Sequence, residues 1–366
     1  MAGRIILFGA TGYTGRLTAE ALTDFGARPL LAARNADRLT EMATELGGLE
    51  TAVADVSDPQ SVRRLAGRGD VLVTTVGPFR RWGRPAAEAA IASGAHYLDS
   101  TGEGEFIREV FESYGPAAEQ AGIGMLTAFG YDFVPGNLAG AEALERAGGN
   151  AARVDVGYYL TGSGLGGMSG GTRSSAVGVV GSPTFAWRDG RVVTERPARR
   201  RRSFPVGNKQ QQAISVGGSE HFALPRLAPR LREVNVYLGW FGAASAPMQA
   251  MSAASAAALR IPGARQLLDS AAERFVKGST GGPSQAERDK GGSHVVGQAF
   301  DAAGNQLSEV HVTGIDGYTF TGRILALGAM RAAQGGLQGT GALGPVDGFG
   351  LGSLRAGCAQ AGLRVS

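Results

Sequence analysis

The chain is short of cysteine, histidine and lysine, and each shortage excludes something. A lone Cys358 cannot close an intrachain disulfide, and four histidines scattered at 96, 221, 294 and 311 lack the close ligand spacing of a metal site, so no metal is expected. No stretch reaches the roughly 18 uninterrupted apolar residues of a membrane span. Met1 to Phe8 runs into a strand rather than a leader, so a cytoplasmic protein without a membrane span is expected. Lysine occurs only at 209, 277 and 290, so nearly all of the 36 basic residues are arginine. The net charge of +4 disappears if the single run Arg199 to Arg202 is set aside, which argues against a nucleic-acid partner. The 59 glycines keep no period of three, which excludes collagen.

What is present is 366 residues, 43% of them hydrophobic, enough for two domains with real cores. The first 135 residues alternate short apolar strands with helical periodicity. Strands are expected at Arg4 to Phe8, Pro29 to Ala33, Glu50 to Ala54, Val71 to Thr75, His96 to Asp99 and Gly124 to Ala128. Helices are expected between them, the last over Glu105 to Gln120. After Gly136 a small-residue helix leads into strand-like alternation, with a hairpin turn at Asp189-Gly190, helices at Ser174 to Val180 and Met248 to Leu259, and strands at His294 to Phe300 and Gln306 to Thr313. The polar, Gly-rich stretch Lys277 to Gly292 reads as a mobile loop or lid. The expected fold class is α/β: an N-terminal Rossmann doubly wound parallel sheet over 1–135, a second α+β domain over 136–335 built on a mostly antiparallel sheet, and a segment 336–366 returning to the first domain.

The most informative motif is Gly9-Ala10-Thr11-Gly12-Tyr13-Thr14-Gly15, between the first strand and the first helix. Gly9 suits a tight exit from the strand, Gly12 lets a diphosphate approach the backbone, and Gly15 lets the helix sit close to the sheet. The helix N-terminus then offers N–H groups and partial positive charge to phosphates. Where NAD enzymes place an acid, at the end of the second strand, this chain has Arg34, followed by Asn35 and, one turn on, Arg38. A guanidinium pairs with a 2′-phosphate that a carboxylate would repel, so NADP(H) is expected over NAD. Asp55 and Val56 are expected to flank adenine, and Val76, Gly77, Pro78 and Phe79 to pass beside the nicotinamide ribose.

The segments GATGYTG at 9–15, AAR at 32–34, VGPF at 76–79, HYLDSTGE at 96–103 and GYDFVPGN at 130–137 together resemble the saccharopine dehydrogenase-like NADP-binding family, most closely its bacterial trans-acting enoyl reductases. GGTRSS at 170–175 and GTGALGPVDGFG at 339–350 extend the resemblance more loosely. It implies NADPH as hydride donor and a second domain that receives substrate. The expected activity is hydride transfer to an activated C=C bond of a polyketide or other secondary-metabolite intermediate, on a small-molecule or carrier-bound substrate. Two alternatives stay open: a C=N (imine) reductase or amine dehydrogenase of the saccharopine type, and a non-catalytic NADPH-binding regulatory protein. No Tyr is followed four residues later by Lys, which disfavours a short-chain dehydrogenase.

Tyr131 and Asp132, after the sixth strand, lie where ligands of doubly wound sheets collect, and are the candidate catalytic proton donors. Equally open is that Asp132 caps a turn and Tyr131 packs under the nicotinamide. Arg80, Thr172 and Ser175 are candidate substrate-binding residues, the last two at a helix start where an ordinary cap is the plainer reading. His96 reads as a hydrogen-bonded strand residue. Arg199 to Arg202, bounded by Pro197 and Pro205, reads as part of a hairpin extension and by default as a solvated loop, with docking of an acidic carrier protein as the sharper alternative, and a homodimer is the candidate assembly.

Overall fold

A computed structural model describes residues 3–162, 183–240, 242–258 and 281–366. The chain forms two compact units, Met1–Val134 with Gly317–Arg364, and Pro135–Asp316 with Val365–Ser366.

The first unit carries a parallel sheet. Strands β1 (Ile5–Phe8), β2 (Leu30–Ala33), β3 (Thr51–Val53), β4 (Val71–Thr74), β5 (His96–Asp99) and β6 (Gly124–Leu126) stand in the order 3-2-1-4-5-6 reading from one edge inward, with Gly341–Ala342 added beyond β6. Ile6 pairs with Leu30 and Leu7 with Val73, so β1 is central and all four of its residues are buried. A strand covered on both faces reads as a continuous apolar run, which is why this part was legible. Helix α1 (Tyr13–Asp24) buries Gly15, Thr18, Ala19 and Leu22, one stripe at helical spacing.

Two expectations for this unit change. The helix expected over Glu105 to Gln120 is a helix from Gly104 to Glu109, a π-turn at Val110–Tyr114, and a helix from Gly115 to Ala121 that stops at left-handed Gly122. The helix Gly317–Ala333, expected in a second domain ending at 335, belongs to the first unit. It packs directly on α1: a Cβ on Gly322 would lie 2.8 Å from the Leu17 carbonyl, a backbone approach only glycine permits.

The second unit is built on a mixed sheet. Helix Val134–Ala147 leads into Arg153–Thr161, which pairs antiparallel with Gly292–Phe300 and parallel with Glu233–Leu238; that strand in turn pairs antiparallel with Lys209–Val216. Asp189-Gly190 turns the hairpin of Thr184–Arg188 and Arg191–Glu195. Within the stretch read as a lid, Gln285–Arg288 is a short helix, the Ser284 N–H and hydroxyl both donate to Glu287, and Gly292 already opens a strand.

The arginine run lies in a hairpin, as expected, but it is not a solvated loop. Arg201–Val206 is a strand paired with Lys209–Val216, and the flanking guanidiniums are engaged inside the unit. Arg200 pairs with the buried carboxylate of Glu195, and Arg202 pairs with the buried Asp155 and donates to Gln298 at 2.8 Å. Only Arg199 and Arg201 remain exposed. Buried carboxylates need such partners, and Arg199 also reaches Glu195, at 3.8 Å. No helix of the described residues is long and apolar enough to cross a membrane.

Candidate functional site

Because the strands of the first unit run parallel, the loops after β1, β2, β3, β4 and β6 all emerge at one edge of the sheet. The loop after β1 turns at Gly9, whose φ of +91° lies in the left-handed region. The Gly9 N–H donates to the Ala32 carbonyl at 2.8 Å, and the Gly12 N–H donates back to the Gly9 carbonyl at 2.9 Å. A Cβ on Gly15 would stand 2.1 Å from the Gly9 carbonyl oxygen, whereas one on exposed Gly12 would meet only that oxygen, at 3.2 Å. Helix α1 has no side-chain cap and no acid in its first turn. The first-turn N–H groups of a helix have no intrahelical acceptor, so the bare backbone at Gly12 and the uncapped helix end fit a diphosphate. Thr11, Tyr13 and Thr14 are half-buried around this turn, and the Tyr13 ring meets the Tyr318 ring edge-on at 5.3 Å.

At the end of β2, Arg34, Asn35 and Arg38 are all exposed. The Asn35 side-chain oxygen accepts the Arg38 N–H at 2.9 Å, so Asn35 is the cap that starts helix Ala36–Glu45. Neither Arg34 nor Arg38 forms an ion pair among the described residues. Across β3, Asp55 Oδ1 accepts both the N–H and the hydroxyl of Ser57 at 2.8 Å; these bonds hold the carboxyl below the usual carboxylate range, and the nearby charge of Arg34 adds to the effect. Val56 beside it is half-buried.

After β4 the chain passes Val76, a cis Gly77-Pro78 bond and buried Phe79. Glu103 holds this loop: its two carboxylate oxygens accept the N–H groups of Phe79 at 2.8 Å and Arg80 at 3.0 Å. The Arg80 side chain pairs with Glu105 at 2.8 Å.

After β6 the loop from Ala128 to Phe133 is pinned from two sides. The Ala128 N–H donates to Asp99 Oδ1 at 2.9 Å and the Phe129 N–H to the Asp99 carbonyl at 2.7 Å, which holds Ala128 at a φ of +55°. The Tyr131 N–H donates to Thr321 Oγ1 at 2.9 Å, and the buried Tyr131 ring meets Phe320 edge-on. Burial pushes the Asp99 carboxyl up to about 6, partly offset by the N–H groups of Thr101 and Ala128. Half-buried Asp132 keeps Oδ1 sealed with no hydrogen-bond partner among the described residues, and burial pushes its carboxyl up to about 7. His96 is the hydrogen-bonded strand residue expected, accepting the Gly124 N–H on Nδ1 at 3.0 Å.

The Asp132 shift carries a stability prediction. In the unfolded chain the carboxyl titrates near the ordinary 3.8, in the folded chain near 7. Between those values the unfolded state releases its proton first, so stability falls as pH rises and stays lower above the folded value. Asp132→Asn removes that loss. Its melting temperature is expected to exceed that of the parent by a few degrees above about pH 8 and to match it near about pH 4, measured by calorimetry across the range.

The structure thus gathers the candidates at 9–15, 34–38, 55–56, 76–80 and 131–132 on one edge of one sheet. Thr172 and Ser175, with the helix expected at Ser174 to Val180, lie outside the described residues. Sequence reasoning did not single out Asp99, Glu103 or Thr321, which hold neighbouring loops through partners 23 to 190 residues away.

Residues 5–126 match the model of the saccharopine dehydrogenase NADP binding domain. The chain is 40% identical over 140 residues to a trans-acting enoyl reductase of Mycobacterium leprae, a match covering 37% of this chain and 34% of that protein. It is 38% identical over 149 residues to a trans-acting enoyl reductase of Mycobacterium ulcerans, covering 39% of this chain and 36% of that protein. These matches span little more than a third of the relatives' own lengths. The fold is that of apo saccharopine dehydrogenase (L-Glu forming) from Saccharomyces cerevisiae, with a TM-score of 0.61 at 14% identity over 100% of this chain and 99% of that one. The glycine-lined turn and the uncapped helix both lie within residues 5–126, the part of the chain that matches this NADP-binding domain.

Proposed function

We propose that the protein is an NADPH-dependent reductase that delivers hydride to an activated C=C bond of a polyketide or other secondary-metabolite intermediate, with a carrier-bound thioester as the substrate form. The observation that carries the reading is the pairing of an open, uncapped Gly12 turn with two exposed guanidiniums, Arg34 and Arg38, in a domain of NADP-binding type. The name of the mycobacterial relatives supports C=C as the reducible bond.

In this reading Gly9, Gly12 and Gly15, with the α1 N-terminus, hold the diphosphate. Arg34 and Arg38 pair with the 2′-phosphate, Asp55 and Val56 border the adenine, and Val76 to Phe79 border the nicotinamide ribose. NADPH supplies the hydride when bound. This chain then has to place a proton on the other atom of the reduced bond. Asp132 suits that task, because a carboxyl titrating near 7 is still partly protonated at neutral pH and can donate. Tyr131, its ring buried against Phe320, has a packing role beneath the same loop.

The test follows loss of the reduced nicotinamide's near-ultraviolet absorbance, with NADPH and with NADH, against a panel of enoyl thioesters and a panel of imines. Oxidation with the thioesters alone supports the proposal, oxidation with imines alone replaces it with a saccharopine-type reaction, and binding without turnover leaves a regulatory protein. Turnover is expected to fall as pH rises through about 7 and to lose that dependence in Asp132→Asn.

A further inference from the structure

The segment Asp99 to Glu103 links two of the loops on the sheet edge through a continuous run of hydrogen bonds. Asp99 Oδ1 accepts the Ala128 N–H on one side and the Thr101 N–H on the other, both at 2.9 Å. Thr101 Oγ1 accepts the Glu103 N–H at 3.0 Å, and the Glu103 carboxylate accepts the N–H groups of Phe79 and Arg80. Asp99 and Thr101 are fully buried, so the inner end of the run has no water to replace a lost partner. Gly102, in the middle, leaves its bare backbone against Asp132, where a Cβ would lie 3.2 Å from Oδ2. Five residues therefore set the separation between the loop at 76–80 and the loop carrying Asp132.

We infer that Glu103 is a positioning residue for the nicotinamide half of the coenzyme, acting through the Phe79 and Arg80 N–H groups rather than by touching the coenzyme itself. The inference rests on the NADPH reading above and adds to it a division of labour: the adenosine half depends on Gly9 to Arg38, the nicotinamide half on Glu103. Two N–H groups converging on two oxygens need an acceptor at both. An amide oxygen serves one, while its NH2 faces the second donor. Glu103→Gln is therefore expected to lose part of the function and Glu103→Ala all of it.

The experiment is calorimetric titration of the full chain with NADPH and with 2′-phospho-ADP-ribose, which keeps the adenosine half and lacks nicotinamide. In Glu103→Ala, NADPH affinity is expected to fall about tenfold, the scale of a lost charge-assisted bond, while 2′-phospho-ADP-ribose stays within about twofold. Glu103→Gln is expected to lie between, and to carry the test alone if the alanine variant does not fold. The fluorescence of bound NADPH is expected to shift toward that of free NADPH in both variants. Equal weakening of the two ligands would overturn the inference in favour of a general structural role, as would no change in either. If the parent binds neither ligand, the coenzyme reading fails and takes this inference with it; if the parent binds both and only the variants disagree, the inference alone falls.

Discussion

Gly15→Ala is expected to abolish measurable NADPH binding and to lower the melting temperature by roughly 5–10 °C, the larger share of the few kcal/mol that overpacking costs. The added Cβ would stand 2.1 Å from the Gly9 carbonyl oxygen and 2.9 Å from both the Cα and the carbonyl oxygen of Ala10. All three are backbone atoms, so no rotamer change relieves the contact. Either α1 backs away from β1 by about an ångström or the Gly9 turn opens. Both moves displace the first-turn N–H groups that the proposed site aims at the diphosphate, and Gly15 is also part of the buried stripe by which α1 meets the unit. Gly12→Ala is the control. Its Cβ meets a single carbonyl oxygen at 3.2 Å, so the fold is expected to hold while the methyl fills space reserved for the diphosphate. Scanning calorimetry and NADPH titration of the pair separate packing from binding. Parent-like melting and affinity in Gly15→Ala would show that the turn does not depend on the close approach of helix to strand.

The contrast between Gly12 and Gly15 was legible in the sequence because the motif sits between an apolar strand and a helix, and local context assigns each glycine its part. The parallel strands were legible for a related reason: β1 and β4 are unbroken apolar runs buried on both faces. What escaped was long-range or polar. Strand Arg201–Val206 begins in two arginines and Lys209–Val216 in a lysine and three glutamines, and their buried apolar positions, such as Phe204, Ala213 and Ile214, come later. Among the polar residues, Arg202 finds its partners in Asp155 and Gln298, which no local pattern announces. Helix Glu220–Leu227 is short and carries Pro225, a residue that normally argues against a helix interior. Thr321 supports the Tyr131 loop from 190 residues away. Asp99 and Glu103 lie inside a segment whose resemblance to the family was visible, yet their tasks depend on which loops the sheet brings beside them.

Arg34→Glu is expected to weaken NADPH binding about a hundredfold or more and to reverse the preference between NADPH and NADH. A charge-assisted pair with a phosphate contributes about 1.5–3 kcal/mol, and replacing the guanidinium by a carboxylate adds like-charge repulsion to that loss. The same carboxylate can accept from the ribose hydroxyls of NADH, which is the arrangement NAD enzymes use at this place. Asp55 sharpens the reversal. Its carboxyl is held below the usual carboxylate range by Ser57 and the nearby charge of Arg34, so replacing Arg34 with an acid leaves two negative charges close together. Arg34→Ala removes the pair without the repulsion, so a smaller loss of about tenfold is expected, and NADPH affinity should become less sensitive to salt. Arg34 is exposed and forms no ion pair among the described residues, so its replacement is expected to leave the melting temperature nearly unchanged. Affinity can therefore be read without a folding correction. Titrating both reduced coenzymes into parent, Arg34→Ala and Arg34→Glu proteins at two ionic strengths decides the matter: an undiminished preference for NADPH in Arg34→Glu would mean that the 2′-phosphate is recognised by other residues, and the role given to Arg34 would be withdrawn.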